Sequence, residues 1–307
     1  MGTAKNTVRL GLPDGAGPVL VDMRSSCARR RVGGLDKRDT VRPVCHPGAV
    51  DDATTSEHGV LDTGDPSFRL ERMPSSLPLV ERYWTTSWDV PAGRTASVTL
   101  LPHPCVNLVY DRGQVLISGV GRERFTYSYQ GTGRVFGIKF RPGGFQPFYG
   151  SSVAELTDQV RPLSTLWGSS ADDFAASLSV ASDPVAVAER FLLERWPARV
   201  DPEVFLVERI VHALLRDREV ARVGDVTERF GISVRTLQRL FRRYVGVGPK
   251  WVLKRYRLHE AAGRLAAGES VGWAELGYCD QSHFIRDFVR VVGVSPSVWC
   301  AGAGVVA

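Results

Sequence analysis

The sequence predicts an α+β protein in which a small β-barrel or sandwich is followed by helices and then by an all-α domain. Short segments rich in β-branched and aromatic residues, separated by Gly, Pro and Asp, run from about residue 77 to 150. Helix-start signals begin after Gly150, and the chain from Asp201 to about Trp299 is typical of consecutive helices with short connections. At 307 residues the chain is also longer than one usual domain, so we expect two.

The predicted strands are six short segments of even spacing, a pattern that favours a small barrel or a sandwich. In the last segment, Phe136, Ile138 and Phe140 alternate with Gly and Lys, as in a half-buried strand. The segments are Tyr83–Val90, Ser97–Leu101, Val106–Tyr110, Gln114–Val120, Arg124–Tyr129 and Arg134–Phe140.

Three helix starts follow the strands. Ser152 and Glu155 have the spacing of a capping box, in which each side chain satisfies a backbone donor of the other residue. Asp183-Pro184 and Asp201-Pro202 each place an N-cap acid before a proline at the first helical position. We therefore predict a β-rich domain with helices over 76–198 and a helical domain over 199–300.

The two ends of the chain have a different composition. Residues 1–75 are rich in Gly, Pro, Asp and Arg and show no sustained period, so we expect a poorly ordered segment there and a short tail over 301–307. The sequence contains no stretch of about 18 apolar residues, so it predicts no transmembrane helix. No apolar run follows Met1–Arg9, so a secretory signal is not predicted either. The sequence predicts a soluble, cytoplasmic protein.

Cysteine usage argues against a disulfide framework and against a thiolate metal site, because the five cysteines are odd in number and none form a CxxC pair. We expect no metal and no cofactor. The cysteines are Cys27, Cys45, Cys105, Cys279 and Cys300.

Positive charge is concentrated in one segment. The whole chain has a net charge of +6, whereas residues 229–264 contain ten basic residues and one acid, Glu260, and so have a net charge of +9. Such a segment attracts phosphate, although a charge run alone is also typical of a solvated helix face.

A helix–turn–helix pattern begins at Val223, with Gly231 suited to the turn and Ser233 to the cap of the next helix. At about 100° per residue, the apolar and polar residues of that next helix occupy opposite faces without exception. The apolar face contains Leu237, Leu240, Phe241 and Tyr244. The polar face, which we call the first reading face, contains Arg235, Gln238, Arg239, Arg242 and Arg243.

A second helix–turn–helix pattern surrounds Gly277, with Asp280 placed to cap its second helix. Phe284, Phe288 and Val291 share one face of that helix. The opposite face contains Ser282, His283, Arg286 and Arg290; these four, together with Gln281 in the first turn, are called the second reading face. A long helix from Pro249 to about Ala267 is predicted to join the two patterns. If the two reading helices are parallel and about 34 Å apart, they enter successive major grooves of one duplex.

In its last third, the sequence resembles the DNA-binding domain of the AraC/XylS family of transcription regulators. The resemblance covers about Asp201 to Cys300. It rests on Ser233, Leu237, Arg239, Phe241, Gly246, Pro249, Arg257-Leu258, Ala261, Leu265, Gly277-Tyr278, Asp280 to Phe284, Arg286, Phe288, Gly293 and Ser295-Pro296.

The resemblance implies promoter DNA as a partner, base contacts from both reading faces, and an N-terminal sensing or dimerising domain that is often a cupin-like β-barrel. Members are mostly activators, so RNA polymerase is an expected partner; a homodimer and a small-molecule effector are open. The implied DNA-binding residues are Arg235, Gln238, Arg239 and Arg242 in the first unit and Gln281, Ser282, His283 and Arg286 in the second.

The chain departs from the family pattern at three places. Gly272-Trp273 replaces the usual Ile-Ala in the first helix of the second unit, and Thr227 replaces an alanine in the first unit. At the end of the domain, Trp299-Cys300 replaces the usual pair of an aromatic residue and an arginine. We predict that Trp273 is buried between the two helices of the second unit, where it would overpack the contact unless its neighbours yield.

Catalytic chemistry has weaker signals. His103 and Cys105 could be a metal or nucleophilic site, but no second histidine accompanies them in the strand region, so a loop histidine and a buried thiol are favoured. Cys279 could be a redox switch or simply a small turn residue.

The strand aromatics could line a small-molecule pocket, but most are expected in the core. Phe191, Leu192 and Trp196 could anchor a dimer, although internal packing is favoured.

Two other function classes remain as alternatives. One is an enzyme, either an N-terminal barrel with its own chemistry or a DNA-alkylation-repair fusion. Such a fusion would need a metal-activated cysteine cluster and a Pro-Cys-His nucleophile, and Pro43-Val44-Cys45-His46 is one residue out of register. A non-specific DNA-compacting protein would bind with salt dependence but without base preference. The Arg, Gln and His side chains on the reading faces favour specific binding, and we expect no catalytic residues.

Overall fold

The computed structural model describes residues 60–62, 67–217, 219–220 and 222–303. Most of the predicted poorly ordered segment, residues 1–59 and 63–66, lies outside the described residues, as do the last four residues of the tail.

Among the described residues, nine strands form the N-terminal part, and they include all six predicted segments. Three further strands, the first two and the last, were not predicted. The strands are β1 Val60–Asp62, β2 Arg69–Pro74, β3 Val80–Asp89, β4 Ala96–Leu100, β5 Asn107–Asp111, β6 Gln114–Ser118, β7 Phe125–Tyr129, β8 Thr132–Phe140 and β9 Val160–Pro162.

The strands form two antiparallel sheets. The larger sheet has the order β2-β3-β8-β5-β6-β9 and the smaller has the order β1-β4-β7. Side chains from both sheets, among them Trp84, Trp88, Val98 and Tyr127, form one buried cluster. The predicted N-terminal β-domain is therefore present, with a core between its two sheets.

Two glycines of β8 allow the largest side chains of this core to fit. Trp84 pairs with Gly137 across β3 and β8, and Trp88 pairs with Gly133. A Cβ atom on Gly137 would lie 2.0 Å from Trp84 Cε2, and one on Gly133 would lie 2.3 Å from Trp88 Cζ2. The indole rings thus occupy the space above the glycines opposite them.

The prediction of a poorly ordered segment up to residue 75 is wrong for β1 and β2. β2 pairs along its whole length with β3, and β1 pairs with β4. Both strands lie at sheet edges and are short, so they lack the apolar alternation that identifies a half-buried strand. The ordered domain therefore begins before residue 75.

Helices form the remainder of the chain, as predicted. They are α1 Gln146–Tyr149, α2 Ser164–Trp167, α3 Ser169–Val180, α4 Pro184–Glu194, α5 Pro202–Arg216, α6 Val223–Phe230, α7 Val234–Leu240, α8 Pro249–Ala266, α9 Gln281–Val292 and α10 Pro296–Ala303, with a 3₁₀ turn at Val153–Leu156 and a π-helical turn at Phe241–Val245. None of the described helices is long and apolar enough to cross a bilayer.

Two of the three predicted helix starts are confirmed. Asp183 accepts hydrogen bonds from the N–H groups of Val185 and Ala186, and Asp201 accepts one from Glu203. At Ser152, the prediction is wrong for one of the two hydrogen bonds of the capping box, the one that the serine side chain would accept. The Ser152 hydroxyl donates to the carbonyl of Arg242, 3.1 Å away, because the helical domain packs against this turn and offers an acceptor.

A single apolar core continues from the larger sheet into the helical domain. It contains Ile138 and Phe140 from β8, Leu156 from the 3₁₀ turn, Val207 from α5 and Phe241 from the π-helical turn. Phe191 and Leu192 are buried in the same core, where Phe191 stacks on Phe174, so internal packing of the proposed dimer anchors is confirmed. The two predicted domains therefore share their interior.

Candidate nucleic-acid interface

The first helix–turn–helix unit consists of α6 and α7. Gly231 has φ = 62°, and the N–H groups of Gly231 and Ile232 donate to the carbonyls of Glu228 and Thr227 at 3.4 and 3.1 Å. This pattern closes α6 at a left-handed glycine. The Ser233 hydroxyl then accepts a hydrogen bond from the Thr236 N–H at 3.1 Å and starts α7. Both predicted roles, for Gly231 and Ser233, are confirmed.

The predicted division of this helix into two faces is also confirmed. Leu237, Leu240, Phe241 and Tyr244 are at most 1% exposed. All five residues of the first reading face, namely Arg235, Gln238, Arg239, Arg242 and Arg243, are exposed. Packing therefore fixes one face of the helix and leaves the other available to a ligand.

The end of this helix is bonded to the N-terminal domain. α7 passes into the π-helical turn, which ends at Gly246 with φ = 97° and an N–H bond to the Phe241 carbonyl. The Thr157 hydroxyl donates to the Gly246 carbonyl at 2.8 Å, next to the bond from Ser152 to Arg242. A wider turn leaves carbonyls without helical donors, and these hydroxyls satisfy them. Nothing in the sequence indicated this contact.

One reading-face residue has an acidic partner. The Arg239 guanidinium donates to both carboxylate oxygens of Glu203, at 2.6 and 3.1 Å. This hydrogen bonding is the main reason that the pKa of Glu203 is lowered. The Tyr244 hydroxyl donates to Asp201 at 2.6 Å and to Glu203 at 3.0 Å, which lowers the pKa of Asp201 as well. Arg239 is therefore exposed but already hydrogen-bonded.

In the second unit, the reading helix is α9. Asp280 accepts the His283 N–H at 2.8 Å and caps the helix, as predicted. Phe284, Phe288 and Val291 are buried. The second reading face, namely Gln281, Ser282, His283, Arg286 and Arg290, is exposed.

The first helix of the second unit is missing, and this corrects the prediction of two complete units. Residues 271–280 form turns and bends. Bonds from the Gly277 N–H to the Ala274 carbonyl and from the Tyr278 N–H to the Trp273 carbonyl close a single turn. Gly272 at one end and Gly277, with φ = 71°, at the other leave too few residues to offset the cost of helix nucleation.

Trp273 is 36% exposed, so the prediction of its burial between two helices is wrong. The helix that was expected to carry Trp273 against α9 does not form, so the expected overpacking does not arise.

Because Trp273 is 36% exposed and belongs to none of the buried clusters, we expect Trp273→Ala to lower the free energy of unfolding by only about 1–2 kcal/mol. Urea denaturation measures this change. Phe284→Ala in the same unit, where the side chain is 5% exposed, is the comparison and should cost about 3–5 kcal/mol. Equal losses for the two variants would show that Trp273 is packed.

Other contacts hold α9 in place of the missing helix. Asp287, 6% exposed, forms ion pairs with Lys254 of α8 and, at 3.0 Å, with Arg290, and its carboxylate lies 3.4 Å from His283 Nε2. In α10, Trp299 Nε1 donates to the Ala262 carbonyl of α8 at 2.8 Å. The altered ending of the chain thus fastens α10 to the connecting helix.

The connecting helix α8 matches its predicted range, but its positive charge is not all available to a ligand. Arg255 is 3% exposed, lies 4.6 Å from the centre of the Trp251 ring and donates to the carbonyl of Arg122 in the N-terminal domain. Burial lowers the pKa of this guanidinium to about 10. Arg264 pairs with three acids of its own neighbourhood. The net charge of the segment therefore overstates the charge that can meet DNA.

His103 and Cys105, the candidates of the strand region, are both buried. His103 is buried with its ring 4.4 Å from that of His259, and burial raises the pKa of the Cys105 thiol to about 11. Cys279 is exposed. Within the described ranges, no three metal-ligating side chains converge. The strand aromatics fill the core as expected, since most of them are fully buried. Pro43–His46 lies outside the described residues.

Residues 226–301, from α6 to α10, match the family described as "Helix-turn-helix domain". They are an AraC-type helix-turn-helix domain. AraC-type domains bind DNA in transcription regulators, so the chain is a DNA-binding transcription regulator. Residues 73–162, which include β3 to β9, match a second family described as "Domain of unknown function (DUF6597)".

Among solved structures, ToxT from Vibrio cholerae aligns at 11% identity with a TM-score of 0.33, covering 76% of this chain and 98% of ToxT. ToxT bound to (E)-4-(8-methylnaphthalen-1-yl)but-3-enoic acid aligns at 13% identity with a TM-score of 0.34, covering 77% and 99%. No curated protein sequence matches the chain. The assignment to the AraC type therefore rests on the sequence match of the C-terminal domain.

Proposed function

We propose that this AraC-type regulator recognises a specific promoter sequence by inserting α7 and α9 into two successive major grooves. The observation that carries the proposal is the exposure of both reading faces on helices whose opposite faces are buried. Arg and Gln side chains match the acceptor and donor patterns of guanine and adenine in the major groove.

Each of the expected DNA-binding residues is assigned to one of the two grooves in this proposal. The first groove is read by Arg235, Gln238, Arg239 and Arg242, and the second by Gln281, Ser282, His283 and Arg286. Contacts between α8, α9 and α10 support a fixed spacing between the two reading helices.

The remaining parts of the proposal concern the effect of the regulator on transcription and the role of its N-terminal domain. We infer that the regulator is an activator that contacts RNA polymerase, and that its N-terminal domain senses a small molecule or mediates dimerisation. The bonds from Ser152 and Thr157 to the end of the first reading helix support communication between the domains, because a shift of the 3₁₀ turn would move the π-helical turn.

Selection of bound duplexes from a random DNA pool, with the full-length protein at stated salt, tests the proposal. We expect an enriched sequence with two informative blocks about 10 base pairs apart, one helical repeat of DNA. If all sequences in the pool bind equally well, and their affinity varies only with the salt concentration, the result would favour a non-specific DNA-binding protein.

We expect Arg239→Ala to weaken binding to the selected sequence by about 1–3 kcal/mol and to relax the preference at one base pair. Fluorescence anisotropy on duplexes with single base changes measures both effects. Arg209→Ala, on an exposed position of α5, removes the same charge away from the reading face and is the control. An equal loss on every duplex would make Arg239 a phosphate contact.

A further inference from the structure

The pair between Glu203 and Arg239 occupies the edge of the guanidinium that a base would use. Arg239 donates from both terminal nitrogens, Nη2 at 2.6 Å and Nη1 at 3.1 Å, one to each carboxylate oxygen. A guanine in the major groove accepts the same kind of paired contact on O6 and N7. Through that edge, Arg239 can bind Glu203 or a base, but not both.

Glu203 is itself held in position. It lies in the first turn of α5, where its backbone N–H donates to the Asp201 carboxylate at 3.0 Å. The Tyr244 hydroxyl, on a side chain that is 1% exposed, also donates to Glu203. A helix N-terminus favours a negative charge there. The carboxylate therefore keeps its place and charge when Arg239 leaves, and it can rebind the guanidinium afterwards.

The pairing distinguishes Arg239 from other arginines of the first reading face. Within the part of the chain that the structure describes, Arg235 and Arg242 on the same reading face form no ion pair. These two residues can meet any phosphate, whereas Arg239 must first give up Glu203.

We propose that Glu203 competes with DNA for Arg239 and so lowers the affinity of the regulator, because Arg239 must give up the carboxylate before it contacts either a phosphate or a base edge. Exchanging a carboxylate for a phosphate replaces one exposed ion pair with another and is close to balanced. A correctly placed guanine adds a paired contact inside the groove, which shifts the balance toward release. This proposal rests on the proposed function, in which α7 reads bases.

The test compares the full-length wild type with Glu203→Gln on the selected duplex and on a scrambled duplex of equal length, over a range of salt concentrations. In the variant, Arg239 is free to contact phosphate on any sequence. We expect affinity for the scrambled duplex to rise about 3- to 10-fold and its salt slope to steepen by about 0.9, the value for one further phosphate contact. Affinity for the selected duplex should rise at least as much, because Arg239 no longer has to leave a carboxylate there either.

Two controls isolate the pair. The gain on scrambled DNA must disappear when Glu203→Gln is combined with Arg239→Ala, because no guanidinium is then released. Glu228→Gln removes the same charge from an exposed position of α6 and should reproduce less than half of the gain. Glu203→Ala should match Glu203→Gln, and circular dichroism verifies that each variant is folded.

The outcomes separate this proposal from the proposed function. A wild type that binds both duplexes equally contradicts sequence-specific reading, whatever the variant does. Unchanged affinity of Glu203→Gln for scrambled DNA, or a gain that persists without Arg239, overturns the role of Glu203 alone. A loss on the selected duplex only would show that Glu203 orients Arg239 for the base, which also overturns competition.

Discussion

Phe241→Ala is expected to lower the free energy of unfolding by about 3–5 kcal/mol and to weaken DNA binding with it. Phe241 is completely buried where α7 passes into the π-helical turn. It belongs to the core that the sheet and the helical domain share, so its removal leaves a cavity against both. The orientation of the first reading helix depends on that packing.

Urea denaturation of the full-length protein measures the loss, and anisotropy on the selected duplex measures the accompanying loss of DNA binding. Val234→Ala is the matched control, because Val234 begins the same helix but is 48% exposed, and it should change stability by less than about 1 kcal/mol. A Phe241→Ala protein with wild-type stability would contradict the shared core.

Gly119→Ala should destabilise the protein by about 1–3 kcal/mol or more and loosen the contact between the two domains. A Cβ atom at this position would lie 1.7 Å from the Leu156 carbonyl oxygen and 2.6 Å from its carbonyl carbon. Both are backbone atoms of the 3₁₀ turn, so the turn must move as a whole. Thr157, the next residue, donates to Gly246 at the end of the first reading helix.

Thermal unfolding and DNA affinity, measured together, test this expectation. Gly224→Ala is the control glycine, because nothing lies within 4 Å of its added methyl group on α6, and it should stabilise the protein by about 0.5–1 kcal/mol. If both variants are as stable as the wild type, the close approach of Gly119 to the 3₁₀ turn is not present in solution.

Local signals in the sequence were sufficient to predict α7 and α9. The period of apolar residues predicted both faces of α7 and α9, and Ser233, Asp280 and Asp201 predicted three helix starts, because each depends on residues within one or two turns. The six strands with β-branched and aromatic alternation were predicted for the same reason.

Features that depend on distant contacts were not predicted. The pair of Arg239 with Glu203 joins residues 36 positions apart, and the burial of Arg255 needs a carbonyl 133 positions away. The helix expected around Trp273 came from the family pattern, whereas Gly272 and Gly277 limit the segment to one turn. β1 and β2 owe their strand geometry to neighbouring strands rather than to their own composition.

The common interior of sheet and helices has a consequence for protein engineering. A chimera that joins this N-terminal domain to another regulator's C-terminal domain at about residue 200 would cut through one packing unit, since Leu156 and Phe241 lie on opposite sides of the junction. Grafts that preserve both sides of that unit, or that exchange only solvent-facing positions of α7 and α9, would leave this shared packing intact, and under the proposed function the second kind would change the DNA sequence that is bound.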